Sequence, residues 1–166
     1  MDGMEQALVN STEPSNFGFF YQQQNAIQLL TAYQNEILDL FKHYRHCTID
    51  KQKQNFKARI YLNLAIYAQI EDEIFYPAIK KALLKKGLLP ELQITFDPLV
   101  ELISQIDFQN PNNEMHDHNI TDLEKYFHFY VKVQREEMFV KAEKLELNMA
   151  ILGQKIHLRK IELLSR

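Results

Sequence analysis

The chain has 166 residues, of which 46% are hydrophobic and 25% charged, a balance typical of one folded domain. Its four Gly and five Pro argue against a β-sandwich or barrel, which needs many tight turns. A net charge of −3 gives no basic bias toward nucleic acid, and no apolar run approaches the ~18 residues of a membrane span.

The N-terminal region, residues 1–22, is predicted to be a polar arm that packs partly on the rest of the protein. Its four aromatic residues, Phe17, Phe19, Phe20 and Tyr21, favour such packing, with self-association as the alternative. No basic flank precedes an apolar stretch, so a signal peptide is not expected. The single cysteine, Cys47, has no internal disulfide partner, and we expect a cytoplasmic protein.

From residue 23 onward, apolar residues recur at steps of three and four, the spacing of amphipathic helices. Pro77 should kink the second helix, and Gly87 should end it. A loop is predicted over 109–119. Residues 23–166 are thus predicted to form one all-α domain, an antiparallel up-down four-helix bundle with an additional C-terminal helix. The predicted helices span residues 23–45, 53–86, 90–107, 121–144 and 147–164.

Two predicted helices end in similar segments. Residues 71–78 read EDEIFYPA, and residues 135–142 read REEMFVKA. Both place acidic residues just before an aromatic residue. In a helical bundle, this pattern suggests that two helices contribute carboxylates to a common centre.

Five segments in order resemble the hemerythrin-like, HHE cation-binding family. The most specific is IEDEIFYPA at 70–78; the others are AIxLL at 26–30, LFxxY at 40–44, EMFxKA at 137–142 and LGxxIxxRKxEL at 152–163. The resemblance extends over residues 26–164. It implies a four-helix bundle that holds two iron ions through inward-pointing histidines and carboxylates, with an open position for dioxygen or another small ligand.

The resemblance also indicates which positions correspond to the family's metal ligands. These positions hold Gln34, Tyr67, Glu71, Phe96, Phe129, Tyr130, and either Gln134 or Arg135. Only Glu71 keeps a ligand of the family, so no metal or other cofactor is expected, with a family-type di-iron centre as the alternative. Tyr67, Phe96, Phe129 and Tyr130 are expected to fill the vacated volume.

Arg135 is predicted to replace the charge of the metal by forming a buried ion pair with Glu71. The alternative is that Arg135 extends to solvent and pairs at the surface with Glu136 or Asp122, while Gln134 faces Glu71. The sequence leaves both arrangements open, because the fourth helix can shift its register by one residue.

Other candidate sites have simpler explanations. His43 and His46 could form a peripheral zinc or nickel site, but they more often complement the dipole at the end of a helix. The same explanation covers the basic cluster of Lys80, Lys81, Lys85 and Lys86. A His-Asp-His segment at 116–118 is only a weak metal-binding signal.

These observations favour a non-catalytic binding or regulatory bundle over an enzyme, since no nucleophile or general base stands out. Its partner would be an unidentified protein, a small ligand or a second copy of the chain, and neither nucleic acid nor membrane. The alternative function is a cation-binding protein that senses, carries or stores dioxygen, nitric oxide or iron through an altered centre.

Overall fold

The computed structural model describes residues 24–88 and 114–166, with side chains in the second range from residue 119 onward. Every regular element in these ranges is helical, and none is a strand, which confirms the all-α prediction there. The predicted arm (residues 1–22) and the predicted helix 90–107, which includes Phe96, lie outside the described residues.

Helix α1 spans Ala26–His46, with a side-chain cap at its N-terminus and basic residues in its last turn. Asn25 accepts the backbone N–H of Gln28 at 2.9 Å, and Gln28 Oε1 accepts the backbone N–H of Asn25 at 3.0 Å, which forms a capping box. At the other end, the Nδ1 atoms of His43 and His46 bond backbone carbonyls of the same helix. This arrangement favours the helix-dipole interpretation of the two histidines over a shared metal site.

The second stretch of helix comprises α2 (Asp50–Ile70), a π-helical segment π1 (Glu71–Phe75) and α3 (Tyr76–Lys85). The departure from α geometry therefore precedes Pro77, whose ring and missing N–H disfavour continuous α-helix there. Gly87 ends the helix at φ +70°, with bonds from the N–H of Gly87 to Leu84 O and from that of Leu88 to Leu83 O. The predicted stop at Gly87 is confirmed.

The third stretch comprises α4 (Glu114–Val133), the segment π2 (Gln134–Phe139) and α5 (Val140–Glu143). It begins before residue 121, so the predicted loop is wrong from Glu114 onward.

The C-terminal helix α6 spans Met149–Leu164, and Asn148 caps it by accepting the N–H of Ile151. Helix α1 packs against α2, α4 and α6, while α6 also packs against α2 and π1. This packing buries one continuous apolar core. No helix in the described ranges is both long enough and apolar enough to cross a membrane. The described helices are compatible with the predicted bundle.

The contact between α6 and the start of α1 depends on Gly153. A Cβ added there would lie 2.6 Å from Gln24 O and 2.9 Å from the carbonyl carbon of Asn25, which are backbone atoms that cannot rotate away. We expect Gly153→Ala to lower the free energy of unfolding by about 1–3 kcal/mol through overpacking. Urea unfolding would measure this, with the exposed Ala150→Ser as a control. Equal stability of the two variants would contradict the tight contact.

Candidate functional site

Five of the predicted site residues converge in the core, and we call them the Glu71 cluster. Each side chain comes from a different element and is at most 1% exposed. The cluster consists of Gln34 from α1, Tyr67 from α2, Glu71 from π1, Tyr130 from α4 and Gln134 from π2. Side chains that are far apart in the sequence thus meet where the three helical stretches pack together.

The Glu71 carboxylate is fully buried and accepts hydrogen bonds at both oxygens. The Tyr130 hydroxyl donates to Oε2, and Gln134 Nε2 donates to Oε1. Burial raises the pKa of Glu71 to about 7, although hydrogen bonds from Tyr130, Gln134, Tyr67 and Tyr76 oppose this rise. The site therefore holds a carboxyl group that changes its protonation state near neutral pH.

The amide groups of the cluster extend this network away from the carboxylate. Gln34 Nε2 donates to the Tyr67 hydroxyl at 2.8 Å, and that hydroxyl donates to Gln134 Oε1, also at 2.8 Å. Gln34 Nε2 also donates to Gln134 Oε1. Because Gln134 accepts on one side and donates to Glu71 on the other, it joins both halves of the network.

Arg135 does not pair with Glu71, and the predicted buried ion pair is wrong. Its Nε donates to Gln34 Oε1 at 2.7 Å, and its Nη2 donates to Asn35 Oδ1 at 2.7 Å. Gln134 lies one turn after Tyr130 on the buried face, so Arg135 is rotated to the edge of the core. The guanidinium therefore contacts the Glu71 cluster through the Gln34 amide.

Phe129 does not fill the centre either, since 63% of its side chain is exposed. Adjacent helical positions point about 100° apart, so Phe129 turns outward when Tyr130 points inward. Phe127 fills the core instead, with its ring centroid 6.2 Å from that of Tyr67 and 6.4 Å from that of Tyr130. Its position in the apolar pattern of the helix was a sequence signal for this burial.

Tyr76 contributes to the site, although sequence reasoning did not predict it. Its hydroxyl lies 2.6 Å from the Tyr130 hydroxyl, and either oxygen can be the donor. When Tyr130 donates to Glu71, Tyr76 donates to Tyr130. When Glu71 is protonated, both hydroxyl groups can rotate and reverse the chain of donors. No sequence pattern singles out Tyr76, because its role depends on how the start of α3 packs against α4.

The two segments that resemble each other in sequence, 71–78 and 135–142, overlap the two π-helical segments. Glu71 is the first residue of π1, and Gln134 is the first residue of π2. Beyond them, Phe75 and Phe139 meet edge to face, with centroids 5.7 Å apart. Short π segments inside helices are frequent at functional sites. Here the two segments supply the hydrogen bond between the Gln134 amide and the Glu71 carboxylate.

Comparisons with protein-family models, with curated proteins and with solved structures all end without a match. The resemblance to the hemerythrin-like family therefore depends on the sequence motifs alone.

The donor set does not fit a di-iron centre. Such a centre needs several carboxylates and histidines, whereas the Glu71 cluster has one carboxylate, two phenols and two neutral amides. Among the side chains that the structure describes, no group of three or more His, Cys, Asp or Glu is arranged to hold a metal ion. The His-Asp-His segment at 116–118 lies outside those side chains.

Proposed function

We propose that this protein is a non-catalytic binding or regulatory module, a hemerythrin-like bundle in which a hydrogen-bonded core replaces the di-iron centre. The observation that carries the proposal is that both Glu71 oxygens accept hydrogen bonds from protein donors, Tyr130 and Gln134. A metal at Glu71 would have to displace these donors and deprive both of a charged acceptor, which costs free energy.

The electrostatics of the cluster support the same proposal. A buried carboxylate is costly, and a metal ion would offset that cost with positive charge. Here the compensation comes from neutral donors and from Arg135, whose guanidinium bonds the Gln34 amide at one end of the network. The network can thus serve as a structural element that fixes the relative positions of α1, π1 and π2.

Metal analysis tests this proposal directly. We expect protein produced in iron-supplemented medium to contain close to no iron, and its melting temperature to be the same with added ferrous iron and with a chelator. Ligand binding to the native state would otherwise raise the melting temperature by mass action. About two irons per chain, with an oxo-to-iron absorption band, would contradict the proposal and favour the alternative, a cation-binding protein that senses, carries or stores dioxygen, nitric oxide or iron.

A further inference from the structure

A second feature is a surface cleft of about 610 Å³ between α3 and the start of α6, on the outer side of π1. Its volume falls within the range of about 300–1,000 Å³ that is typical of small-molecule sites. The cleft does not include any residue of the Glu71 cluster. Any function assigned to it is therefore independent of whether the core binds metal.

The floor of the cleft is aliphatic. Ile74, Ala78 and Ala82 form one side, and Leu147 and Leu152 form the other. Among the residues that the structure describes, none of those lining the cleft is aromatic, so they offer no surface on which a planar base or ring would stack. This composition suits a flexible hydrocarbon chain.

The rim of the cleft carries an excess of positive charge. Lys81, Lys85 and Lys155 lie on the rim, and none of them forms an ion pair with a residue that the structure describes. Lys86 also lies there, with its Nζ 3.4 Å from the carbonyl oxygen of Lys144. Four ammonium groups around an aliphatic floor are complementary to a ligand with an anionic head.

Two acidic residues also line the cleft, but they do not cancel this charge. Both oxygens of Glu73 bond Arg159, at 2.7 Å from Nε and 3.0 Å from Nη2. This arginine lowers the pKa of Glu73 and balances its charge. Glu146 forms no ion pair with a described residue, so among the described residues it is the one carboxylate on the rim that would repel an anion.

From this geometry we infer that the cleft is a binding site for an amphipathic anion, a fatty-acid-like molecule with an aliphatic chain and a carboxylate head. The chain lies on the aliphatic floor, and the head lies among the lysines of α3 and α6. Lysines act as separate point charges, so the site selects the sign of the head group more strongly than its shape.

Calorimetric titration of the full chain with dodecanoate tests the inference. We expect saturable binding that weakens as salt rises from about 0.05 to about 0.5 M, because salt screens the lysines. Dodecyltrimethylammonium, which has the same chain and a cationic head, should not bind. The inference is overturned if dodecanoate does not bind, or if the cationic probe binds as tightly.

Charge variants sharpen this test. Lys81→Glu with Lys155→Glu should weaken dodecanoate binding on the order of tenfold or more. The matched control, Lys125→Glu with Lys132→Glu on the exposed surface of α4, changes the net charge equally and should leave binding unchanged. Glu146→Gln should have the opposite effect and tighten binding. Equal weakening by both pairs would overturn the inference, since it would reflect net charge alone.

A steric variant separates the cleft from general surface attraction. Ala78→Trp keeps every lysine but fills the floor, so it should abolish dodecanoate binding. Circular dichroism and the melting temperature establish that each variant is folded. If a charge reversal unfolds the protein, Lys81→Gln with Lys155→Gln takes its place and should weaken binding severalfold. Retained binding in the tryptophan variant would overturn the assignment to this cleft.

Discussion

Replacing Gln134 by leucine is expected to lower the free energy of unfolding by about 3–5 kcal/mol at neutral to slightly alkaline pH. Leucine fills a similar volume but can neither donate nor accept a hydrogen bond. The Glu71 carboxylate loses the Gln134 donor, while Gln34 Nε2 and the Tyr67 hydroxyl lose an acceptor. Three buried polar groups are affected by one substitution, so the cost should exceed that of an ordinary hydrogen bond. Urea unfolding with a constant m-value would measure it.

The exposed Gln154→Leu in α6 is the matched control for this variant. It makes the same chemical change where the side chain meets water, and surface substitutions usually alter stability by less than about 0.5 kcal/mol. The cost of Gln134→Leu should also shrink at acidic pH, where a protonated Glu71 no longer needs a donor at both oxygens. Equal stability of the two variants would show that Gln134 does not join the network.

The second large effect concerns pH, because the buried Glu71 should make the protein less stable as pH rises. The pKa of Glu71 is about 7 in the folded protein, compared with an ordinary value of 4.5. Between pH 4.5 and pH 7, the native state therefore binds more protons at this residue than the unfolded state does. Stability therefore falls as pH increases through this window, and the loss is complete above the folded pKa. A shift of this size corresponds to ~3 kcal/mol. Urea midpoints measured across the pH range would follow it.

Glu71→Gln should remove this contribution and leave the variant at least as stable as the original protein above pH ~7. The amide has the shape of the carboxylate and carries no charge. It can donate to the Tyr130 hydroxyl, which then donates to Tyr76, so the pair accommodates the change. The exposed Glu137→Gln should preserve the original pH profile. If Glu71→Gln has the same profile as Glu137→Gln, Glu71 does not titrate in this window.

The helical periodicity of the sequence predicted that Tyr67, Glu71 and Tyr130 point into the core. A helical period of 3.6 residues places Tyr67 and Glu71 on one face, and Tyr130 on the face that also holds Phe127. These positions follow from the sequence because an amphipathic helix must bury its apolar side. The end of the second helical stretch could also be predicted from the sequence, because Gly87 adopts a positive φ that other residues rarely adopt.

The sequence did not predict in the same way which residues of the π segments face the core. Met138 and Phe139 are both buried in π2, where a π turn inserts one residue into the helix. Whether Gln134 or Arg135 faces Glu71 depends on how this helix packs against π1. A neutral amide can donate to the carboxylate and accept from Tyr67 at once, whereas a guanidinium can only donate. With Gln134 facing inward, more buried polar groups therefore have hydrogen-bond partners than they would have with Arg135 in that position.

The sequence by itself determined that the described parts of this protein are helical, where the second helical stretch ends, and which face of α2 lies in the core. Those features depend on local backbone preferences and on periodicity, which act over a few residues. Only the tertiary structure decided which donors meet Glu71, and that π1 and α3 form a lysine-rimmed cleft with the start of α6. Both arrangements join residues more than 50 positions apart, whose relative positions are set by how whole helices pack.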